Sequence, residues 1–253
     1  MATPLPSNDI GRIEASDRVI ARSLDHDFGA LGAANLVKRL VQDVFKRRIA
    51  LVSSFGSGSA VMLHMVAQAD PATPVLFLDT GKHFGETRRY RDELAGLLGL
   101  TDVRSITPDA AVIDEHDPQG ILWSQQPDEC CFIRKVAPLN RALGDFDAWF
   151  TGRRTEQSDT RASLPRFEGA DGRVKVNALA GWSQAVVDDY FEEFKLPRHP
   201  LEADGFLSIG CMPCTDRVAN GEDPRAGRWR GRDKDECGIH MPGKPFTDFG
   251  ADI

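Results

Sequence analysis

Long apolar runs are missing from this sequence of 253 residues. Residues 1–14 hold no apolar run of signal-peptide length, and no stretch elsewhere approaches the roughly eighteen apolar residues of a membrane-spanning helix. Internal repeats and low-complexity tracts are not evident either. The sequence therefore predicts a soluble, cytoplasmic protein that does not contact a membrane.

The sequence also lacks an excess of basic residues. The chain has 31 Lys and Arg against 38 Asp and Glu, a formal net charge of -7, and this balance argues against duplex nucleic acid as a partner. A hydrophobic content of 41% is enough for a full core. We expect one large domain at 31–220, preceded by an extension at 1–30 and followed by a mobile tail at 221–253. Oligomeric state is left open.

Cysteine is sparse but paired. Of the five cysteines, four fall in two tight pairs, Cys130-Cys131 and Cys211-x-x-Cys214. Neighbouring cysteines form only a strained disulfide, so the first pair suits two corners of one metal centre better than a bridge. Four thiolates are what a [4Fe-4S] cluster or a Cys₄ zinc site requires, and the spacing does not decide between them.

These cysteines have two other interpretations. A scattered cysteine is usually a small core hydrophobe, but clustering in pairs makes that weaker here. The Cys211-x-x-Cys214 motif could be a thioredoxin-type dithiol, although that motif opens the first helix after an N-terminal strand and here lies late in the chain. We therefore favour a metal site.

A loop rich in serine and glycine follows a short apolar run. Residues 49–52 predict a buried strand, 53–59 read Ser-Ser-Phe-Gly-Ser-Gly-Ser, and 60–69 predict a helix. Small residues let backbone N–H groups approach an anion at a helix N-terminus. The loop matches neither common nucleotide-binding glycine motif, and an ordinary linker is the alternative.

Strands and helices alternate along most of the chain. Further strands are predicted at 74–78, 103–106, 148–151 and 174–177, and helices at 13–23, 36–45, 86–98, 138–143 and 183–194, the last capped by Ser183. This alternation predicts an α/β fold with a mostly parallel sheet, whose ligands bind at the carboxyl ends of the strands. Loops 53–59 and 79–81 both follow strands and can therefore face one ligand.

Two basic segments stand out in this acidic protein. Loop 152–158 leads on to Arg161 and Arg166, and a solvated loop without a partner is its alternative reading. Cys237 lies among cations on a glycine-rich tail, and neighbouring cations favour a reactive thiolate over a plain surface thiol. Those cations are Arg228, Arg230, Arg232, Lys234 and His240.

Together these residues resemble a known family, the adenylyl-sulfate and phosphoadenylyl-sulfate reductases, from about residue 36 to 240. The motifs that carry the resemblance are Ser54-Phe55-Gly56-x-x-Ser59-Ala60-Val61, Leu78-Asp79-Thr80-Gly81 with Glu86-Thr87, Cys130-Cys131-x-x-Arg134-Lys135-Val136-x-Pro138-Leu139, Thr151-Gly152-x-Arg154, Gln157-Ser158, Ile209-Gly210-Cys211-x-Pro213-Cys214-Thr215 and Glu236-Cys237-Gly238-Ile239-His240.

The resemblance implies a fold, a cofactor and a substrate. The fold is the adenine-nucleotide α-hydrolase type with a modified pyrophosphatase-like loop. The branch with both cysteine pairs carries a [4Fe-4S] cluster, here on Cys130, Cys131, Cys211 and Cys214, and typically uses adenosine 5'-phosphosulfate. The 3'-phosphorylated form, or both forms, remain the alternative substrates.

The resemblance also implies a role in sulfate assimilation and cysteine biosynthesis, and a mechanism for the reaction. Cys237 attacks the sulfonate sulfur, AMP leaves, and thioredoxin or a glutaredoxin-like protein releases sulfite from the resulting S-sulfocysteine. The cluster is not the electron donor, and Lys135 links it to the substrate. The implied substrate-binding residues are Ser54, Phe55, Gly56, Ser59, Asp79, Thr80, Gly81, Lys135, Arg154, Arg161, Arg225, Arg228 and His240.

The chain departs from the family pattern at three places. Thr155 stands where arginine is frequent, Ser57-Gly58 replaces a more usual Ala-Glu pair, and Arg230-Gly231-Arg232 interrupts an aromatic run. Two rival functions remain: a tRNA-modifying pyrophosphatase-loop enzyme, which would want a Ser-Gly-Gly-x-Asp-Ser loop and a more basic surface, and a zinc-stabilised nucleotide-binding module in which Cys237 is incidental.

Overall fold

The computed structural model describes residues 7–157, 161, 163–232, 234 and 236–240, with side chains described from residue 16 onward. The start of the predicted N-terminal extension, Ser158 of the basic loop and the end of the predicted tail lie outside the described residues.

Within this described part, a six-stranded sheet has the order β3-β2-β1-β4-β6-β5. The pairs β1–β2, β2–β3, β1–β4 and β4–β6 are parallel, and β5 alone runs antiparallel to its neighbour β6. The strands are β1 (Ile49–Ser53), β2 (Val75–Leu78), β3 (Val103–Ile106), β4 (Ala148–Phe150), β5 (Phe167–Ala170) and β6 (Arg173–Val176).

Helices cover both faces of the sheet and carry the loops at its edge. They are α1 (Ser7–Phe28), α2 (Ala33–Arg39), α3 (Ser59–Ala69), α4 (Gly85–Leu98), α5 (Ala110–His116), α6 (Leu122–Gln125), α7 (Pro127–Cys131), α8 (Ala137–Ala142) and α9 (Gln184–Glu193). Wider π-helical turns continue α2 through Leu40–Val44 and join α7 to α8 through Phe132–Val136.

The central strand β1 shows why the sheet is buried on both sides. All of its residues are buried, and successive side chains point to opposite faces. Ile49 and Leu51 belong to the large core beneath α2, α3 and α9, whereas Ala50 and Val52 belong to a second core with Leu139 of α8. A strand that is apolar on both faces is typical of a parallel α/β sheet.

The predicted α/β class with a mostly parallel sheet is confirmed, and the predicted strands lie within a residue or two of the observed ones. Ser183 caps α9 as predicted, since its hydroxyl accepts a hydrogen bond from Val186 N. The helix predicted at 13–23 is longer and spans Ser7–Phe28. No helix in the described part is long and apolar enough to cross a membrane.

Strand β5 was missed. It pairs with β6 through Asp171-Gly172, whose φ angles of 52° and 78° both lie in the left-handed region. An Asp-Gly pair between two short runs is a hairpin signal, because such two-residue turns need positive φ at both positions. The signal was present, but Glu168 and Gly169 weaken the strand pattern around it.

Candidate active site

The loop between β1 and α3 turns sharply at two residues. Phe55 has a φ of 48° and Gly58 a φ of 74°, so both adopt left-handed conformations. The side chain of Phe55 is fully buried and packs edge-on against Phe77, with ring centroids 5.6 Å apart. Phe55 therefore anchors the loop in the core and leaves backbone and serine side chains to face the cavity.

A second loop lies directly against this one. A Cβ on Gly56 would lie 2.8 Å from Ile209 O, which is closer than real side chains approach a carbonyl. Ser57 Oγ donates a 2.6 Å hydrogen bond to Leu207 O. The absence of a side chain at Gly56 thus lets the segment that leads to Cys211 cross the serine-glycine loop.

A cavity of about 670 Å³ opens at the carboxyl edge of the sheet. Its size is within the range of pockets that hold small-molecule ligands. It brings together many of the predicted site residues: Ser54, Gly56, Ser59, Lys135, Arg154, Arg161, Arg225, Arg228, Cys237 and His240.

Four predicted residues do not line this cavity: Phe55 in the core, and the loop Asp79, Thr80 and Gly81. Asp79 accepts a hydrogen bond from Gly81 N and pairs with Arg88 at 3.3 Å. Thr80 Oγ1 lies 3.3 Å from Cys211 Sγ, so Thr80 faces the cysteines. Leu78, at the end of β2, does line the cavity and marks where this loop leaves it.

Two arginines at the cavity share one carboxylate. Arg161 Nε donates a 2.7 Å hydrogen bond to Glu236 Oε1, and its Nη2 lies 2.6 Å from the same atom. Arg225 Nη2 lies 3.6 Å from Glu236 Oε1. The Arg161 and Glu236 side chains are 8% and 12% exposed, so this pair is largely removed from solvent.

Arg154 and Arg228 are held by other groups. Arg154 Nη2 donates to Gln184 Oε1 of α9 at 2.8 Å. Arg228 Nε donates to Cys214 O at 3.2 Å, and its guanidinium lies 4.3 Å from the centroid of the Trp229 ring. Arg228 therefore connects the cavity with the second cysteine pair.

Cys237 is half-buried at the cavity, beside the partly buried Lys135. Burial opposes the charged form of Lys135, but the neighbouring thiols of Cys211, Cys237 and Cys131 raise its pKa above the ordinary value. Lys135 thus stays protonated between the nucleophile candidate and the cysteine pairs.

The segment after Cys237 packs into the fold. Ile239 packs against the second core, and the His240 ring stacks on Trp149 of β4 with an interplanar angle of 8°. Burial first, and then the nearby arginines and Lys175, lower the pKa of His240 well below its usual value. His240 is therefore neutral at pH 7, and it contributes a ring and not a charge.

The four paired cysteines line one small cavity with Trp229 and Lys135. All four are buried and none forms a disulfide. Burial raises the pKa of Cys130 to about 11, whereas the charge of Lys135 and the hydroxyl of Thr80 outweigh burial and lower the pKa of Cys211. The site thus combines buried thiols with a fixed cation.

Among the described residues, no group of three or more His, Cys, Asp or Glu side chains converges closely enough to hold a metal ion. The donor set nevertheless suits a metal centre, because four unpaired, buried thiols line one cavity and both a Cys₄ zinc site and a cubane iron-sulfur cluster use four thiolates. The buried indole Nε1 of Trp229 beside them has no hydrogen-bond acceptor in the described structure.

Sequence reasoning missed several residues of this site. The sequence motif at 236–240 includes Glu236 without a role, although a carboxylate next to a nucleophile among cations is itself a signal. Trp149 looked like an ordinary strand residue. Lys175 is 1% exposed in β6, and burial lowers its pKa to about 8. A lysine between two valines of a buried strand was the available signal for it.

The chain is similar to known proteins over most of its length. Residues 48–217 match the family model described as the phosphoadenosine phosphosulfate reductase domain. The adenosine 5'-phosphosulfate reductase of Mesorhizobium japonicum is 47% identical over 245 residues, which cover 96% of each chain.

Two further relatives extend the comparison. The phosphoadenosine 5'-phosphosulfate reductase of Gloeobacter violaceus is 42% identical over 78% of this chain and 83% of its own. The crystal structure of phosphoadenylyl-sulfate reductase from Candida auris has a TM-score of 0.62 and 25% identity, covering 86% of this chain and 100% of that one.

Proposed function

The chain belongs to the phosphoadenosine phosphosulfate reductase domain family, and from this membership we propose that it reduces adenosine 5'-phosphosulfate to sulfite and AMP in sulfate assimilation. The observation that carries the proposal is the position of Cys237, at a nucleotide-sized cavity beside Lys135 and three arginines. A thiol among partly buried cations is suited to attack on an anionic sulfonate.

Binding is assigned to two parts of the cavity. Backbone N–H groups and hydroxyls of loop 53–59 lie at the start of α3, where the helix dipole favours an anion. Arg161, Arg225 and Arg228 lie at the Cys237 end, and their planar forks suit phosphate and sulfonate oxygens. We assign the adenosine to the rest of the cavity, where Leu78 and Val187 supply apolar surface.

The chemistry runs in two steps. The Cys237 thiolate attacks the sulfonate sulfur, the bond from sulfur to the bridging phosphate oxygen breaks, and AMP leaves with that oxygen. This forms S-sulfocysteine on the enzyme. A thiolate of thioredoxin or a glutaredoxin-like protein then attacks the Cys237 sulfur and releases sulfite, and the second thiol of that protein resolves the mixed disulfide. The partner dithiol is oxidised by two electrons.

A [4Fe-4S] cluster is the cofactor we assign to Cys130, Cys131, Cys211 and Cys214, on the strength of the four-thiol donor set. When bound, it would supply a fixed electrostatic and structural centre next to the substrate site, and not electrons for the reaction. Lys135 lies between this site and Cys237, so its charge serves the anionic end of the substrate whatever the redox state of the metal.

The 3'-phosphorylated nucleotide is the second candidate substrate. It is supported by the Gloeobacter violaceus relative, which bears that name at 42% identity. Arg154 pairs with Gln184 and Glu156, and Arg198 pairs with Asp188 and Glu202. A 3'-phosphate would have to displace these partners in order to bind either arginine, and the unphosphorylated form is favoured because it has no such cost.

The deciding experiment is a sulfite-release assay on protein purified without oxygen, with thioredoxin and either nucleotide, together with its visible spectrum. We expect a brown protein that prefers adenosine 5'-phosphosulfate. A colourless zinc protein that releases no sulfite from either nucleotide would support the nucleotide-binding module instead.

The Cys237→Ser variant tests the nucleophile directly. Sulfite release should fall on the order of a thousandfold or more, as it does when an attacking side chain is removed. The AMP dissociation constant should match that of the wild type, because loop 53–59 does not include Cys237 and AMP binding serves as the control. Undiminished sulfite release by this variant would rule out the mechanism.

A further inference from the structure

The carboxylate of Glu236 occupies the arginines beside the nucleophile. Its Oε1 accepts a hydrogen bond from Arg161 Nε at 2.7 Å and lies 3.6 Å from Arg225 Nη2. The pair it forms with Arg161 uses one edge of the guanidinium, through Nε and Nη2, while Nη1 on the other edge donates to Gln157 Oε1. A fork that is filled in this way has few donors left for a second anion.

We propose that Glu236 is the internal counter-ion of the anion site: it holds Arg161 and Arg225 until a phosphosulfate displaces it. This inference rests on the proposed function, because it takes these arginines as the ones that bind the substrate. Glu236 is then a positioning residue. Its interaction with the arginines sets the affinity that an anion needs in order to bind there. Glu236 also immediately precedes Cys237 in the chain.

The distribution of charge around the cavity supports this role. Glu168 engages Arg153 and Lys175 on the β6 side, and Arg154 and Arg198 have the partners described above. Among the described residues, Glu236 is the carboxylate that engages Arg161 and Arg225. Buried cations without a counter-charge are costly, so an internal carboxylate stabilises the site before a nucleotide arrives.

The chain next to Glu236 is built to move the thiol when the carboxylate leaves. Gly238 has a φ of 86°, a conformation that other residues adopt only with strain, and it separates Cys237 from the docked Ile239. Ile239 and His240, which follow Cys237, are held against the second core and β4. Displacement of Glu236, which precedes Cys237, therefore changes the backbone conformation on the N-terminal side of the thiol. Substrate binding is thereby coupled to the position of the nucleophile.

Calorimetric titration with AMP and with adenosine tests the proposal on Glu236→Gln. Glutamine keeps the size of the side chain and removes its charge, so AMP should bind about tenfold more tightly, which corresponds to the lower limit of measured effects for close charge pairs. Adenosine has no phosphate, and its affinity should not change. Glu222→Gln is the matched control, because Glu222 pairs with Arg230 on the surface and outside the cavity.

Unchanged or weaker AMP binding by Glu236→Gln would overturn the proposal and make Glu236 a permanent structural partner of Arg161. A second measurement needs no variant. Trypsin cleavage after Lys234 of the wild-type protein should become several-fold faster with AMP and stay unchanged with adenosine. Equal cleavage rates in the two solutions would also contradict displacement.

These measurements are independent of catalysis. Failure to release sulfite would refute the proposed function while the AMP and adenosine titrations still reported on Glu236. Conversely, if the protein is an active reductase and Glu236→Gln leaves its AMP affinity unchanged, the proposed function stands and the counter-ion role of Glu236 is refuted.

Discussion

At the scale of single residues, His199 shows how packing fixes a protonation state. It is 1% exposed, and Leu201 N donates to its Nδ1 at 3.2 Å. The proton of the neutral ring must then sit on Nε2, which donates to Thr87 Oγ1 at 3.1 Å. Burial lowers the pKa of His199 to about 4. The ring therefore joins the turn at 200–202 to α4 only in its neutral form.

This histidine should make the fold sensitive to acid. Between pH 6.5 and 4 the unfolded chain binds a proton at this position and the folded chain does not, so the free energy of unfolding falls as the pH drops through that window. The ideal slope is about 1.4 kcal/mol per pH unit for one group. We expect His199→Gln to lose this part of the pH dependence in urea unfolding at pH 7, 6 and 5. Exposed His26→Gln is the control, and equal slopes for the two variants would contradict the argument.

At the scale of secondary structure, α1 depends on a missing side chain in β5. A Cβ on Gly169 would lie 2.6 Å from Asp17 Oδ1 and 2.7 Å from Arg18 N of the helix. Asp17 Oδ2 also accepts a hydrogen bond from Gly172 N at 2.9 Å, next to the hairpin turn. The helix therefore docks on the edge of the sheet through backbone approach and one carboxylate.

Gly169→Ala should separate α1 from β5. Because backbone atoms of the helix block the new methyl group, we expect a loss of about 1–3 kcal/mol in the free energy of unfolding, typical of overpacking. Hydrogen exchange should rise in α1 first. Gly181→Ala is a matched control, since a Cβ there meets nothing within 4 Å. Equal stability of the two variants would show that the helix adjusts without cost.

The elements that could be predicted from the sequence are those with local signals. β1 is a short apolar run, loop 53–59 has small residues at a helix start, and Ser183 is a capping residue. Contacts between distant segments left no such signal. Arg161 and Glu236 are 75 positions apart, and the docking of His240 on Trp149 spans more. The cysteine pairs were an exception: the four ligands that a metal centre requires predict that the pairs lie together, and all four cysteines do line one cavity.

At the scale of the whole molecule, residues 228–232 and 234 form an arm that contacts the segments of both cysteine pairs. Trp229 N donates to Cys214 O at 3.2 Å, which fixes the arm to the second pair. Arg232 Nη1 donates to Trp123 O at 2.6 Å, and Lys234 forms an ion pair with Asp128 on α7, the helix that ends at the first pair. These contacts include Arg232 from the segment that departs from the family pattern.

Removal of the proposed metal centre should therefore release the arm. A chelator and a mild oxidant, applied to the purified protein, would strip the buried thiols of the metal that we propose joins α7 to the 211–214 turn. We expect trypsin to cleave after Arg230 and Arg232 several-fold faster in the metal-free protein, because those sites lose contacts on both sides.

Arg232→Ala in the metal-loaded protein should reproduce part of this increase at Arg230, whereas Arg39→Ala, which breaks only the exposed pair with Asp43, should not. Cleavage of the arm at the same rate with and without metal would mean that the helices hold it unaided, and that the cysteine site acts on the nucleophile through Lys135 alone.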